Sequence, residues 1–528
     1  MYRKEDVNQL KFENFYLPFG GKIKSNNRWV ILSKQIPWQK IEQEYGRLFC
    51  DDDGSPAISA RVALGALIIK ERLNISDRET VEQITENPYL QYFLGYPQYD
   101  DQEPFHNSMM THFRKRFSQD ILAQINEWVV KAALPNQQQI AKEDDAKKDK
   151  DGDKDNNEQP ANKGKLIIDA TCTPADIAYP TDLNILNEAR EKTEEIIDAM
   201  HEPFIGKEEK PRTYRRKARK CYLSVIKNKK PTVKNIRKAI SKQLGFLLRN
   251  LSSIDIMASN DRSRHLSKRQ YRLLLVINEV FRQQQYMYSN DTRRISDRIV
   301  SIYQPHVRPI VRGKAKSPVE FGAKVSISLV DGFSFVEKIG WDNYNESCDF
   351  KEQIEAYRQR FGFYPESVHV DKIYRTAENR RFCKANGVRI SGPALGRRVD
   401  DVEQLKLQRK IQHDDEVYRI AVEGKFGQGK RRFSLSRIMT KLAITSQAAV
   451  MVSFMVMNLE KILAGILSFF IFLTEYVSNL QVMQPYCCQK LVRMNFGVFQ
   501  PQMICPQPLK FKKRKDFFSK PYIDFTRL

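Results

Sequence analysis

The chain has 528 residues, enough for two or three domains that each bury a core of their own. Its 88 Lys and Arg against 64 Asp and Glu leave a formal charge of +24, a field that draws in polyanions, and nucleic acid is the first candidate partner. An acidic membrane surface is the rival, but a lipid-binding protein carries its charge on a basic amphipathic helix, whereas here the charge is spread over several segments, so no membrane partner is expected.

The N-terminus, MYRKEDVNQLKFENFYLPFGG, lacks the apolar core of a secretory signal, which points to a reducing cytoplasm. The eight cysteines are scattered without a C-x-x-C pair or nearby paired histidines, so neither disulfides nor a zinc finger is expected. Residues 1–135 read as a helical domain. SARVALGALIIKERLN (59–74) carries apolar residues at helical spacing, and SDRETVEQI follows with Ser76 or Asp77 as N-cap and Glu79 in the first turn. NPYLQYFLG and FHNSMMTHFRKRFSQDILAQINEWVVKAAL supply further helices. HFRKRF on one helix suits a helix-turn-helix-like DNA reader, and a docking or dimerisation domain is the equally open alternative.

From 136 to 164 aliphatic residues almost vanish, which predicts a disordered charged linker. Its DKDGDKDN is no calcium loop. The glycine must stand sixth after a leading Asp, and counting back from Gly152 reaches Lys147.

The pattern then turns α/β over residues 165–465. KLIIDATCT (165–173) is a strand running to an acid. A long, mainly helical insertion follows, from about 180 to 312. Within it, KEEKPRTYRRKARKCYLSVIKNKKPTVKNIRKAISK holds 15 Lys and Arg against two acids, a density that suits phosphate contacts by Arg215, Arg216, Lys217, Arg219 and Lys220, or a merely solvated face. AKVSISLVDGFSFVEKIGW (323–341) predicts a hairpin turning at Asp331-Gly332. The helix CDFKEQIEAYRQRFG, the strand ESVHVDKIY ending at an acid, the helix TAENRRFCKANG and the strand VRISGP complete a mixed sheet flanked by helices, across which acids at the ends of separate strands can meet. Residues 466–528 hold an apolar helix and the basic run KFKKRK. ILAGILSFFIFL (462–473) is too short for the roughly 20 residues of a membrane span and reads as a buried helix.

Three acids stand out. Asp169 (LIIDAT) and Asp371 (VHVDKIY) follow apolar strand residues, where an Asp without a cation is costly to bury. Singly, each is more simply a strand-end cap or an ion-pair partner. Glu423, in YRIAVEGKFGQGKRRFSLSRIMTKLA, makes a third. On a helix it shares a face with Arg419 at i−4 and Lys430 at i+7, and GKRR adds Arg431 and Arg432. The intervening glycines weaken that helix. Hard Mg²⁺ prefers carboxylates, and in-line phosphoryl transfer uses two such ions to stabilise the attacking and leaving oxygens.

The runs DATCTPADIAYPTDLNILNEAREKTEEIID, VDKIYRTAENRRFCKANGVRISGPALGR and VEGKFGQGKRRFSLSRIMTKLA resemble the three catalytic segments of bacterial insertion-sequence DDE transposases with an InsH-type N-terminal domain, over roughly residues 20–460. The resemblance implies an RNase H-like α/β catalytic domain with a large helical insertion and an all-α N-terminal domain. It implies Asp169, Asp371 and Glu423 as catalytic ligands of two Mg²⁺ ions, with Mn²⁺ as a substitute and no small-molecule cofactor. Arg419 and Lys430 would contact phosphates beside the scissile bond. The double-stranded DNA partners would be terminal inverted repeats and target DNA, bound by a homodimer. Related transposases carry a Tyr, Arg, Glu, Lys signature around the third acid; here the tyrosine position is Glu416, with Tyr418 displaced by two. A metal-dependent nuclease on the same core and a transposase-derived DNA-binding protein are the rival readings.

Overall fold

The computed structural model describes residues 15–17, 21–50, 56–134, 161–311, 319–393 and 402–492, with side chains to residue 468. Residues up to Gly465 form one compact unit, and a second begins at Ile466.

The first part is helical: α1 (Arg28–Gln35), α2 (Trp38–Gly46), α3 (Ala60–Leu73), α4 (Asp77–Glu86), α5 (Pro88–Leu94), α6 (Met109–Arg116) and α7 (Gln119–Ala133). Their starts follow the local chemistry. Ser59 and Ser76 cap α3 and α4 by accepting from the Val62 and Glu79 amides. These helices bond directly to the rest of the unit through buried amides: Asn126 on α7 donates to the Ser334 carbonyl at 3.1 Å and accepts from Asn458 at 2.9 Å.

Most of the predicted linker, 136–160, lies outside the described residues. Its last residues are fixed, because Tyr357 donates to the Lys163 carbonyl (2.8 Å) and Asn162 to the Asn386 carbonyl (2.9 Å). They lead into a six-stranded mixed sheet: β1 (Lys165–Pro174), β2 (Arg308–Val311), β3 (Val319–Val330), β4 (Phe333–Gly340), β5 (Ser367–His369) and β6 (Arg389–Ile390). The order is β2-β3-β1-β5-β6, with β4 also paired to β3. β1 runs antiparallel to β3 and parallel to β5, and β5 parallel to β6. The hairpin turns at Asp331 (φ 48°) and Gly332 (φ 75°), two left-handed residues whose twist matches paired strands.

The insertion is a helical bundle of α8 (Asp182–His201), α9 (Arg215–Ile226), α10 (Val233–Ser259) and α11 (Lys268–Ser289) around Leu186, Leu247, Ile277 and Val280. It does not stay helical to its end. Residues 308–311 return as β2 and lengthen the edge of β3 beyond β4. Three helices then complete the unit around the sheet: α12 (Phe350–Phe361), α13 (Ala377–Ala385) and α14 (Val402–Arg432). Gln353 of α12 donates to Ser326, which pairs with Ala170, so α12 covers the face opposite Asp169. α14 packs on β1 and β5. The last helix, α15 (Ala443–Val492), is long and apolar enough over Ala443–Ser468 to cross a membrane, yet 67% of its most apolar window is buried, as in a core helix. That burial stops early in the stretch predicted to be covered: Leu463 is 4% exposed and Leu467 38%. The tail beyond 492, with its basic KFKKRK, lies outside the described residues.

Candidate active site

Asp169 does not end its strand, as the sequence suggested. It sits in mid-strand, and β1 continues to Pro174 because β3 pairs with it as far as Gly322. Asp371 lies two residues past the end of β5. The parallel register pairs Ile167 with His369, so two steps further along each strand Asp169 and Asp371 reach the same height on the same face. α14 crosses that face.

The three acids differ in environment. Burial raises the Asp169 carboxyl to about 6; a hydrogen bond donated by the Ala170 backbone N–H (2.8 Å) opposes this, and the charges of Glu346 and Asp371 add to it. Asp371 is exposed and accepts from its neighbour's amide, Lys372, at 2.7 Å. Glu423 is also exposed. Arg419 lies between the last two, 2.9 Å from Asp371 and 4.0 Å from Glu423.

The helix carrying Glu423 is continuous despite its glycines. Packing explains at least one of them. A Cβ on Gly429 would come within 2.7 Å of Leu435 Cδ1 and close to the Met457 sulfur, so glycine there lets α14 turn back against α15. Arg419, Glu423 and Lys430 therefore do share a face, with Lys430 half-buried. Arg431 folds over Gly427, and Arg432 stands 5.6 Å from the Phe433 ring; both are exposed.

On α9 the predicted phosphate contacts divide. Arg216, Lys217, Arg219 and Lys220 are exposed around a single buried residue, Ala218. Arg215 is engaged inside the bundle, with Asp198 and the Glu194 carbonyl.

Sequence reasoning missed two groups. Glu346, in the short turn after β4, faces Asp169 while held by Lys324 at 2.9 Å and by the Tyr374 hydroxyl at 3.5 Å. Asp415, on α14, accepts both guanidinium branches of Arg389 at 2.8 Å and stands 3.3 Å from His369 Nδ1. Burial raises the Asp415 carboxyl, and Arg389 outweighs it to leave the group below its ordinary range; burial holds the His369 imidazole low. Tyr418 leans on His369 (5.4 Å between rings), with the Lys165 ammonium 3.7 Å from its centre. The spacing Asp415, Arg419, Glu423, one residue every helical turn, was the available signal.

By donor type the acids suit a hard divalent cation, and the crowding of negative charge on the half-buried Asp169 is the kind of imbalance that such an ion relieves. No three acids, histidines or cysteines among the described residues are grouped closely enough to hold one, and the cation joining Asp371 to Glu423 is Arg419.

Two family models match: "Transposase DDE domain" over residues 368–460, and "Transposase domain (DUF772)" over residues 18–116. In both segments the chain is similar to insertion-sequence DDE transposases. The first match takes in Asp371, Arg419, Glu423 and Lys430, and with it an RNase H-like fold and a polynucleotidyl transferase class of enzyme. The chain is 29% identical over 160 residues to "Uncharacterized protein ORF8 in nfe locus" of Rhizobium meliloti, an overlap of 30% of this chain and 68% of that protein. No solved structure matches it.

Proposed function

We propose that the protein is a DNA transposase that binds the terminal inverted repeats of its element as a dimer, cuts the DNA at the element ends and joins the freed 3′-OH to target DNA. The observation that carries this reading is the convergence of Asp169 and Asp371 on one sheet face, with Arg419 linking Asp371 to Glu423 on the helix above. Asp169, Asp371 and Glu423 would hold two divalent cations, Mg²⁺ or Mn²⁺, which stabilise the charge on the attacking and leaving oxygens. Arg419 and Lys430 grip the phosphates beside the scissile bond. Arg431 and Arg432, and Arg216, Lys217, Arg219 and Lys220 of α9, hold the flanking backbone and keep the duplex in line. In the first step a water oxygen bonds to phosphorus as the bond to the 3′-oxygen breaks, leaving a 3′-OH and a 5′-phosphate. In the second, that 3′-oxygen bonds to a target phosphorus and displaces a target 3′-oxygen.

The test uses labelled end DNA and Mg²⁺ or Mn²⁺. The wild-type protein should cleave it and should also join pre-cut ends to a plasmid. An Asp371→Asn protein that still does both removes the assignment, and cleavage without joining of pre-cut ends reduces the activity to hydrolysis.

A further inference from the structure

On α14, Asp415, Arg419 and Glu423 follow one another at intervals of four residues, so they form a single row along the helix. On β5 and the residues after it, His369 and Asp371 form a row at intervals of two. A helix rises about 6 Å in four residues and a strand about 6.6 Å in two, so the rows can run in step. They do: Asp415 meets His369, and Arg419 meets Asp371. Glu423 is the next step along the helix.

Something must hold that register. The other buried residues of α14 are Val422, Lys425, Phe426 and Gly429. The apolar contacts among them are non-directional and tolerate sliding. Lys425 points to the hairpin, donating to the Gly332 carbonyl at 3.2 Å. Asp415, 5% exposed, is the only acid buried on the helix, and its paired bonds to Arg389 have the fork geometry that permits one position. Arg389 lies on β6, which pairs with β5, and His369, whose Nδ1 stands 3.3 Å from Asp415, lies on β5 only two residues before Asp371.

We propose that Asp415 is the positioning residue of the active site, a register pin that locks the helix bearing Arg419 and Glu423 to the strand leading into Asp371. This rests on the reading of Asp371 and Glu423 as metal ligands. Asp415 touches neither DNA nor the reacting phosphate. It acts by setting where Glu423 stands, and a slip of one turn would carry Glu423 about 5 Å from its place.

Asp415→Asn keeps the side-chain volume and weakens the fork; Arg389→Lys keeps the charge and leaves a single donor. Each is compared with wild type for thermal unfolding, end-DNA binding without metal, Mn²⁺ affinity by calorimetry, and cleavage rate at saturating Mn²⁺. Asp415→Asn should keep end-DNA affinity within about twofold, while Mn²⁺ affinity falls about tenfold and the rate about a hundredfold, as for other lost supporting contacts and misplacements of about 1 Å. Arg389→Lys should fall between it and wild type, and serves as the test if Asp415→Asn does not fold. Variants that lower the melting temperature but keep wild-type Mn²⁺ affinity and rate in the folded protein overturn the pin and leave the metal-ligand reading intact. A wild-type protein that binds Mn²⁺ no better than Asp371→Asn overturns that reading, and the pin with it.

Discussion

Arg419 sits where two opposite demands meet. It neutralises Asp371 and Glu423 across partly exposed distances, and in the proposed reaction it must also serve a phosphate. Arg419→Gln should therefore raise Mn²⁺ affinity in the absence of DNA by about threefold, the scale of an exposed ion pair, while weakening end-DNA binding; titration of the two proteins by calorimetry and by gel shift reads both signs. His306 offers a pH signature away from the site. Burial, helped by Arg308, depresses its imidazole from 6.5 to about 4, and its ring stands edge-on to Trp341 at 4.4 Å. Between those values the unfolded chain binds a proton that the folded protein excludes. Stability is thus complete above pH 6.5 and declines as pH falls towards 4, by on the order of 1 kcal/mol for a half-buried ring, and His306→Gln should flatten that part of the melting-temperature profile. At this scale the sequence revealed the acids that follow β-rich runs and the cations spaced around Glu423. It hid Glu346 and Asp415, since their roles depend on Lys324, Arg389 and His369, partners 22 to 46 residues away that only the sheet brings close.

Among the elements, α14 shows how tertiary contacts overrule local propensity. Its three glycines argue for a break between Glu423 and Lys430, yet the helix runs unbroken, and Gly429 is needed for the approach of Leu435. Gly429→Ala should cost about 1 to 3 kcal/mol through overpacking, whereas Gly424→Ala, with open space around its Cβ, should gain up to about 1 kcal/mol of helix stability; chemical denaturation of the pair separates the two effects. The hairpin was legible because Asp331-Gly332 carries its own turn chemistry, α3 because its apolar residues recur at helical spacing, and α4 because Ser76 caps it. The strand after Asp371's helix was not. VRISGP promised a full strand, and only Arg389–Ile390 pair, because β5 offers three residues for β6 to follow. β2 was missed altogether, since RPIV gains strand geometry only by lying against Val319–Gly322.

For the whole molecule, charge is the property most easily tested. If the exposed cations of α9 each meet a phosphate, replacing Arg216, Lys217, Arg219 and Lys220 with Ala should lower the slope of log affinity against log salt by up to about 0.9 per contact, with little change in melting temperature; replacing Arg215 should do the reverse, because it is bound within the bundle. Asn458 carries a different consequence. This one side chain accepts from the Ser334 amide and donates to the Ser334 carbonyl and to Asn126, joining a helix made early in synthesis, an edge strand from the middle of the chain and a helix made late. Until residue 458 has left the ribosome, the nascent chain holds the Ser334 amide and the Asn126 amide oxygen without their partner. Completion of its core, and any cutting of DNA that depends on it, must wait until the last helix has been translated.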